Sequence, residues 1–156
     1  MRNIVLLDSH AEIFIKVAQS VVSQLVDRGE TVEVWDVSKL GYPQWGTLSQ
    51  EDLSEIFSEN GARLVRKTFP GLWSEVKRDL TPKIEEQIEF YLLERHKGDR
   101  QGRYLSKWLL RNYLRGTVSS AKKLALELLS EQDSISKIFI RNGRSPWQHE
   151  LRSELR

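Results

Sequence analysis

An opening strand and helix constrain the fold more than any other feature of the sequence. Ile4 to Leu7 form an unbroken apolar run, which is typical of a strand covered on both faces in a parallel sheet. Ser9 and Glu12 follow with the spacing of a capping box, in which each side chain satisfies a free backbone N–H group of the first helical turn. This pattern predicts a buried strand that leads directly into a helix.

The end of that helix and the segment after it complete the unit. Apolar residues recur at helical spacing to about Arg28, and Gly29 fits the position just beyond a helix. Thr31 to Val37 alternates in polarity and is rich in β-branched residues, which predicts a second strand. Strand, helix, glycine and strand in this order predict a βαβ unit with a right-handed crossover.

The middle of the chain predicts a long, mostly helical insertion, at about residues 48–130, between the second strand and the last one. A short helix is predicted to begin at Ser49, where the S-x-x-D spacing is cap-like. Residues 61–94 have a mostly helical pattern. Further helices are predicted at Tyr104 to Leu114 and at Val118 to Leu129.

The chain then returns to the pattern with which it opened. Ile135 to Ile140 predicts another strand, and a new helix is predicted to open at Ser145. Pro146 suits the first helical position, and Gln148 completes a second capping box. The fold class predicted is therefore α/β: a Rossmann-like parallel sheet with a long helical insertion.

Length and composition favour a single domain. The chain has 156 residues, of which 39% are hydrophobic and 29% charged, as expected of one globular core. We expect residues 1–156 to form one Rossmann-like domain. Because a parallel sheet with so few strands is an unusual stopping point, we also expect this domain to be the N-terminal half of a longer, two-domain protein.

Several function classes find no support in the sequence. There is no cysteine, and no cluster of histidine and acidic residues has metal-ligand spacing. The first strand–helix turn, DSHAE, lacks the G-x-G-x-x-G pattern of dinucleotide sites, and there is no Walker loop. A net charge of +2 does not by itself indicate nucleic-acid binding. We expect a cytoplasmic location, with a peripheral position at the inner membrane face left open.

Two turns share one architecture: an apolar strand, a short polar segment and a capped helix. They are LLDSHAE and FIRNGRSPWQ. Both would lie at the carboxyl edge of a parallel sheet, where ligands bind beside a switch point in strand order. The candidate ligand-binding residues are Ser9, His10, Asn142, Gly143 and Arg144, and His10 and Asp8 are the candidates for a catalytic base.

Each of these residues also has a purely structural interpretation. Asn-Gly is a common turn, and Ser-Pro-x-Gln is a common helix cap. A histidine in a turn is often only solvated. If the residues do bind a ligand, Arg144 offers a rigid fork for a carboxylate or phosphate group. Gly143 would supply a positive φ or allow a close approach to the backbone.

The segment 95–115 is strongly basic and interleaved with aromatic residues. Its cations include Arg100, Arg103, Lys107, Arg111 and Arg115, against the single acid Asp99. Such a segment could bind nucleic-acid phosphates or anionic lipid head groups. It could equally be a solvated helix face whose aromatic side chains pack inward, and the spacing of Tyr104 and Trp108 favours that interpretation.

The order of elements resembles the N-terminal domain of GT-B glycosyltransferases of the bacterial surface- and capsular-polysaccharide type. The likeness lies in the opening unit of Ile4 to Val37, the helical pattern TVSSAKKLALELL, and the strand and turn from Ile138 to Arg144 with its apolar-x-N-G-R form. The resemblance implies two Rossmann-like domains that face each other across a cleft. The N-terminal domain would receive the acceptor, and a C-terminal domain would hold the nucleotide-sugar donor.

The resemblance also carries expectations about the site and its partners. Asn142 and Arg144 match the family motif, whereas Ser9 and His10 match only by their place in the fold. It implies that this domain binds no cofactor or metal, accepts a carbohydrate or lipid-linked sugar, and is inactive or nearly so without the donor domain. Two copies could also pair through exposed apolar surface as a homodimer. The alternative is a non-enzymatic Rossmann-like module that binds nucleic acid or anionic lipid through segment 95–115.

Overall fold

The protein is built on a parallel sheet of four strands in the order β3-β2-β1-β4. The structure, a computed structural model, describes residues 1–40, 47–67, 118–143 and 146–156. The strands are β1 Arg2–Leu7, β2 Thr31–Asp36, β3 Arg63–Arg66 and β4 Ile135–Phe139. All pairings between neighbours are parallel, which confirms the α/β class.

Helices cover both faces of this sheet. They are α1 Glu12–Asp27, α2 Gln50–Glu59, α3 at residues 118–130 and α4 Pro146–Glu154. Short 3-10 turns at Ser38–Leu40 and Gln132–Ser134 precede α2 and β4. Within the described ranges, no helix combines the length and the hydropathy needed to cross a membrane.

Alternate residues of β1 enter two separate cores. Val5 and Leu7 pack with α1 and α2, in a cluster that includes Val22 and Phe57. Ile4 and Leu6 pack on the opposite face with α3 and α4, in a cluster whose largest members are Trp35 and Trp147. The apolar run of β1 is therefore buried on both faces, as its composition predicts.

The strand order places a topological switch point beside β1. From β1 the chain moves outward to β2 and β3, and then returns to pair β4 with the other side of β1. At such a point, the connections leave neighbouring strands in opposite directions, and a crevice opens at the carboxyl ends of the strands. In this protein those ends belong to β1 and β4.

Two details differ from the sequence-based predictions. Residues 63–66 form strand β3, although a mostly helical pattern is predicted there; a run of only two apolar residues between Arg63 and Arg66 carries no clear period. The prediction of a capping box at Ser9 is also wrong. Helix α1 begins at Glu12 with Ala11 at its N-cap and no side-chain cap, and Ser9 Oγ instead accepts a hydrogen bond of 3.2 Å from the Ala11 N–H.

The remaining helix signals are confirmed where they can be compared. Ser49 caps α2 by accepting a bond of 3.1 Å from the Asp52 N–H. Pro146 is the first residue of α4, as predicted. The central part of the predicted insertion, residues 68–117, lies outside the described residues.

Helices α1 and α2 end in the same way, at a glycine with a positive φ. Gly29 has φ 75° and Gly61 has φ 80°. At each end the glycine N–H and the next N–H bond back to carbonyls of the last helical turn, as Glu30 does to Leu25 at 3.0 Å and Ala62 to Phe57 at 3.0 Å. This pair of hydrogen bonds is the Schellman motif, in which a glycine avoids the steric cost of the left-handed region.

We expect alanine at these two glycines to destabilise the protein unequally. Gly29→Ala should cost about 1 kcal/mol, because a side chain is strained in the left-handed region, while a Cβ there meets no atom within 4 Å. Gly61→Ala should cost more, because its Cβ would also lie 3.1 Å from a methyl group of Val26. Urea unfolding of both variants measures the difference, and equal losses would contradict the role of Val26.

Candidate functional site

The carboxyl ends of β1 and β4 are joined by a partly buried ion pair. Asp8 follows β1 and its side chain is 3% exposed. Its two carboxylate oxygens accept hydrogen bonds from Arg141 Nε at 3.1 Å, and one of them accepts a further bond from Arg141 Nη2 at 2.8 Å. This fork geometry is the strongest form of a carboxylate–guanidinium contact, so it fixes the ends of the two strands relative to each other.

Arg141 is held in place on its other side as well. Its guanidinium lies over the ring of Phe14 in α1, 4.3 Å from the ring centroid, which adds a cation–π attraction. Among the described residues, no hydrogen bond engages its Nη1 atom, and the side chain is 32% exposed. Within the described ranges, one edge of the Arg141 guanidinium is therefore left without a hydrogen bond at the switch point.

Helix α4 completes this corner through Gln148. Its side chain is fully buried, and Nε2 donates to Asp8 Oδ2 at 3.2 Å and to the Arg141 carbonyl at 3.3 Å. We call Asp8, Arg141 and Gln148 the Asp8 corner. It ties β1, β4 and α4 together, since the Asp8 carboxylate accepts hydrogen bonds from residues that follow β4 and from α4.

The packing of the Asp8 corner requires a glycine at position 143. A Cβ on Gly143 would lie 2.1 Å from Gln148 Oε1, so only glycine lets the Gln148 amide lie so close to the backbone. Gly143 is not among the described glycines with positive φ. The group that lies close to Gly143 is a side chain of the protein itself, and the approach of a ligand to its backbone stays a prediction.

A second buried polar group lies at the end of β2. His10 Nε2 is 3.1 Å from both carboxylate oxygens of Asp36 and 3.2 Å from Ser38 Oγ. The side chains of His10 and Asp36 are 1% and 2% exposed. Arg66 Nε also donates to Asp36, at 3.1 Å. We call these four residues the His10 cluster.

The ring nitrogens of His10 have distinct roles. Nδ1 accepts a hydrogen bond of 2.9 Å from the Leu48 N–H, so in the neutral ring we assign the proton to Nε2, which donates to Asp36. In a Ser-His-Asp triad, the serine and the carboxylate contact opposite nitrogens. Here both contact Nε2, and this geometry does not match that of a triad.

The His10 cluster instead fastens the start of α2 to the sheet. The Leu48 N–H is held by His10, and the Leu48 carbonyl accepts a bond of 3.0 Å from Arg66 Nη2. Both backbone groups of one residue are thus tied to the carboxyl edge of β1 and β3. Such a network is favourable because every buried polar member has a partner.

The environment of Asp36 favours its charged form. Burial raises the pKa of its carboxyl group, but the hydroxyl and backbone N–H of Ser38, together with His10, outweigh that effect. The pKa of Asp36 therefore lies below its ordinary value of 3.8. Hydrogen bonds to a carboxylate stabilise the ionised state in this way.

The structure separates residues that the sequence pattern places together. Strands β1 and β4 are neighbours as required, yet His10 turns toward β2 and bonds Asp36. Asn142 is exposed beside the Asp8 corner, and no hydrogen bond between described residues joins it to His10.

The predicted roles of these residues stay predictions. They are the binding roles of Ser9, His10, Asn142 and Gly143 and the catalytic roles of Asp8 and His10. Arg144 and the basic segment 95–115 lie outside the described residues.

The sequence does not identify the residues that form hydrogen bonds with Asp8 and His10. Arg141 directly precedes the Asn-Gly turn and has no predicted role, and the sequence pattern indicates only a helix-capping role for Gln148. A polar residue at or just after the end of a strand is a usable signal: Asp36 is the last residue of β2, and Asp8 and Arg141 follow β1 and β4. The sequence does not say which of them pair, because that depends on which strands are adjacent.

A groove of about 280 Å³ runs from the Asp8 corner along α1. At its polar end lie Asp8, Arg141 and Asn142. The rest of its lining is apolar, with Phe14, Val17 and Val21 on the α1 side and Val5, Leu7 and Phe139 on the sheet. The groove can therefore contact a polar group at one end and an apolar group along its length.

Comparison with protein-family models, with curated proteins and with solved structures finds no match to this chain. In the described part of the chain, no group of three or more histidine, cysteine or acidic side chains is arranged to hold a metal ion.

We expect Gly143→Ala to act through Gln148. The added methyl group must displace the end of that side chain from Asp8, which should cost about 1–3 kcal/mol because it disturbs a buried hydrogen-bonded charge. In a Gln148→Ala background the same change should cost far less. A double-mutant cycle of unfolding free energies measures this coupling. Additive losses would show that Gly143 does not act through Gln148.

Acid should destabilise the protein partly through Asp36. A lowered folded-state pKa gives stability that is present above the unfolded value and is lost as pH falls through the folded value. Below about pH 4, Asp36→Asn should therefore lose less stability per pH unit than the parent, by up to about 1.4 kcal/mol per unit. Asp133→Asn, at an exposed position, is the control. An unchanged slope in Asp36→Asn would contradict this prediction.

Proposed function

We propose that this chain is the acceptor-side N-terminal domain of a glycosyltransferase that makes a surface polysaccharide or glycoconjugate. The observation that carries the proposal is the groove that ends at the Asp8 corner, beside the switch point between β1 and β4. This position is where parallel α/β domains bind their ligands. The resemblance in element order and in the Asn142-Gly143-Arg144 motif supplies the class of reaction.

The two ends of the groove suit the two parts of a lipid-linked sugar. Asn142 and the free Nη1 of Arg141 offer hydrogen bonds to sugar hydroxyl groups. The apolar walls formed by Phe14, Val17 and Phe139 suit a hydrocarbon portion. In this proposal the Asp8 corner acts by holding Arg141 and the Asn142 turn in a fixed orientation, which reduces the entropy cost of binding.

The donor sugar belongs to a facing domain in this proposal. The chain itself supplies acceptor binding and orientation, which are the contributions that convert a bimolecular encounter into an ordered one. The nucleotide-sugar donor would be bound across the cleft. A chain of this kind on its own should bind acceptors while showing little or no transfer.

The proposal predicts weak, localised binding of alkyl glycosides. Adding a panel of octyl glycosides below their micelle-forming concentrations to ¹⁵N-labelled protein should shift the amide signals of residues 8 and 140–143, together with those of the α1 groove. Asn142→Ala should weaken binding by about threefold to tenfold, because one or two hydrogen bonds are lost. Gln50→Ala, an exposed amide on α2, should leave the affinity unchanged.

The same titration distinguishes the alternative module. Shifts that avoid the groove, or that Asn142→Ala does not affect, would count against acceptor binding at this site. Binding of a single-stranded oligonucleotide or of anionic vesicles that weakens steeply with salt would favour the non-enzymatic alternative.

A further inference from the structure

The outer edge of β4 is open in the described part of the chain. β4 pairs with β1 on one side and with no described strand on the other. Among the described residues, no strand pairs with the backbone N–H and C=O groups along that edge, and an unpaired edge of this kind is a template for another extended chain. The strand carries a register shift near its start, beside Arg2 and Asn3, so the regular edge extends from Lys137 onward.

A groove of about 450 Å³ flanks this edge on the face of α3 and α4. Its apolar lining consists of Leu128, Leu129, Ile135, Ile138, Ile140 and Leu155. The α1 groove flanks the same strand on the opposite face, where Phe139 and Val17 contribute. Both faces of β4 thus offer apolar space beside a free edge.

All charged residues that line the larger groove are cationic. Lys137, Arg152 and Arg156 line it, and no aspartate or glutamate does. Arg152 donates to the carbonyls of Gly143 and Arg141, and none of the three cations forms an ion pair with a described carboxylate. The groove is therefore mainly apolar, and its cations have no ion-pair partner among the described residues.

We infer that the β4 edge is a docking site for an extended peptide strand from another polypeptide, with apolar residues at its centre and acidic residues beside them. Successive side chains of a strand point to opposite faces, so alternate side chains of the peptide enter the groove beside α3 and α4 while its backbone pairs with β4. Acidic side chains would meet Lys137, Arg152 and Arg156. This is recognition by β-strand addition, in which backbone bonds give affinity and side-chain pockets give specificity.

Two other occupants fit the surface less well. A hydrocarbon chain with an anionic head would satisfy the groove and its cations but would leave the β4 backbone groups without partners. A second copy paired about a two-fold axis would bring the same cationic groove against its own image, and like charges that face each other are destabilising.

The test uses a short synthetic peptide with a valine–isoleucine core and glutamates at both ends. Isothermal calorimetry should detect its binding to the whole chain, with an affinity that falls as salt rises. Lys137→Glu should weaken binding by about fivefold to tenfold, because one attraction becomes a repulsion. Lys123→Glu makes the same change of charge at an exposed position of α3 outside the groove, and it should leave binding unchanged.

Two control peptides make the outcome decisive. A peptide with lysines in place of the glutamates should bind at least several-fold more weakly, and one with N-methylated backbone amides on its pairing edge should not bind. Equal binding of the N-methylated peptide would overturn strand addition, as would binding of decyl phosphate with no binding of the peptide. Self-association of the chain that Lys137→Glu strengthens would assign the edge to a second copy and overturn the inference.

Discussion

Burial of β1 on both faces is the constraint on which the rest of the structure depends. Four consecutive apolar side chains, Ile4 to Leu7, alternate between two cores, and a single covering helix would leave half of them in water. Helices must therefore pack on both faces, which requires crossovers that leave β1 in both directions. The strand order β3-β2-β1-β4 satisfies that requirement, and it creates the switch point at the end of β1.

The same burial dictates the polar chemistry at the carboxyl edge. Asp8 and His10 follow a strand at the centre of the sheet, so they lie inside the protein and need partners. Asp8 obtains Arg141 and Gln148 from the β4 side, and His10 obtains Asp36 and the Leu48 N–H from the β2 side. The segment DSHAE thereby divides into two structural halves, one facing each neighbouring strand. Among the described residues beside β1 and β4, Asn142 is exposed and Arg141 is partly exposed, which is why the proposed acceptor contact rests on them.

Strand β4 differs from β1 in how it is covered, although both strands end in apolar residues. One of its edges is paired and the other is free among the described residues, and its two faces open into grooves of unlike character. The α1 groove ends at the Arg141 guanidinium, whose charge is paired with Asp8, and at the Asn142 amide, which suits hydroxyl groups. The groove beside α3 and α4 carries uncompensated cations, which suits acidic side chains. The two proposals therefore involve different ligand classes at neighbouring surfaces, and each can fail without the other.

The sequence by itself determined what depends on local geometry. The βαβ unit, the glycine end of α1, the Ser49 cap and the Pro146 start follow from hydrogen bonds and side-chain periods within a few residues, and all are confirmed. The tertiary structure alone decided that residues 63–66 are a strand, that Ser9 does not cap α1, that Asp8 pairs with Arg141, and that Gly143 accommodates Gln148. These outcomes depend on which strands become neighbours. That choice is made by burying apolar faces over the whole chain, and a local pattern does not contain it.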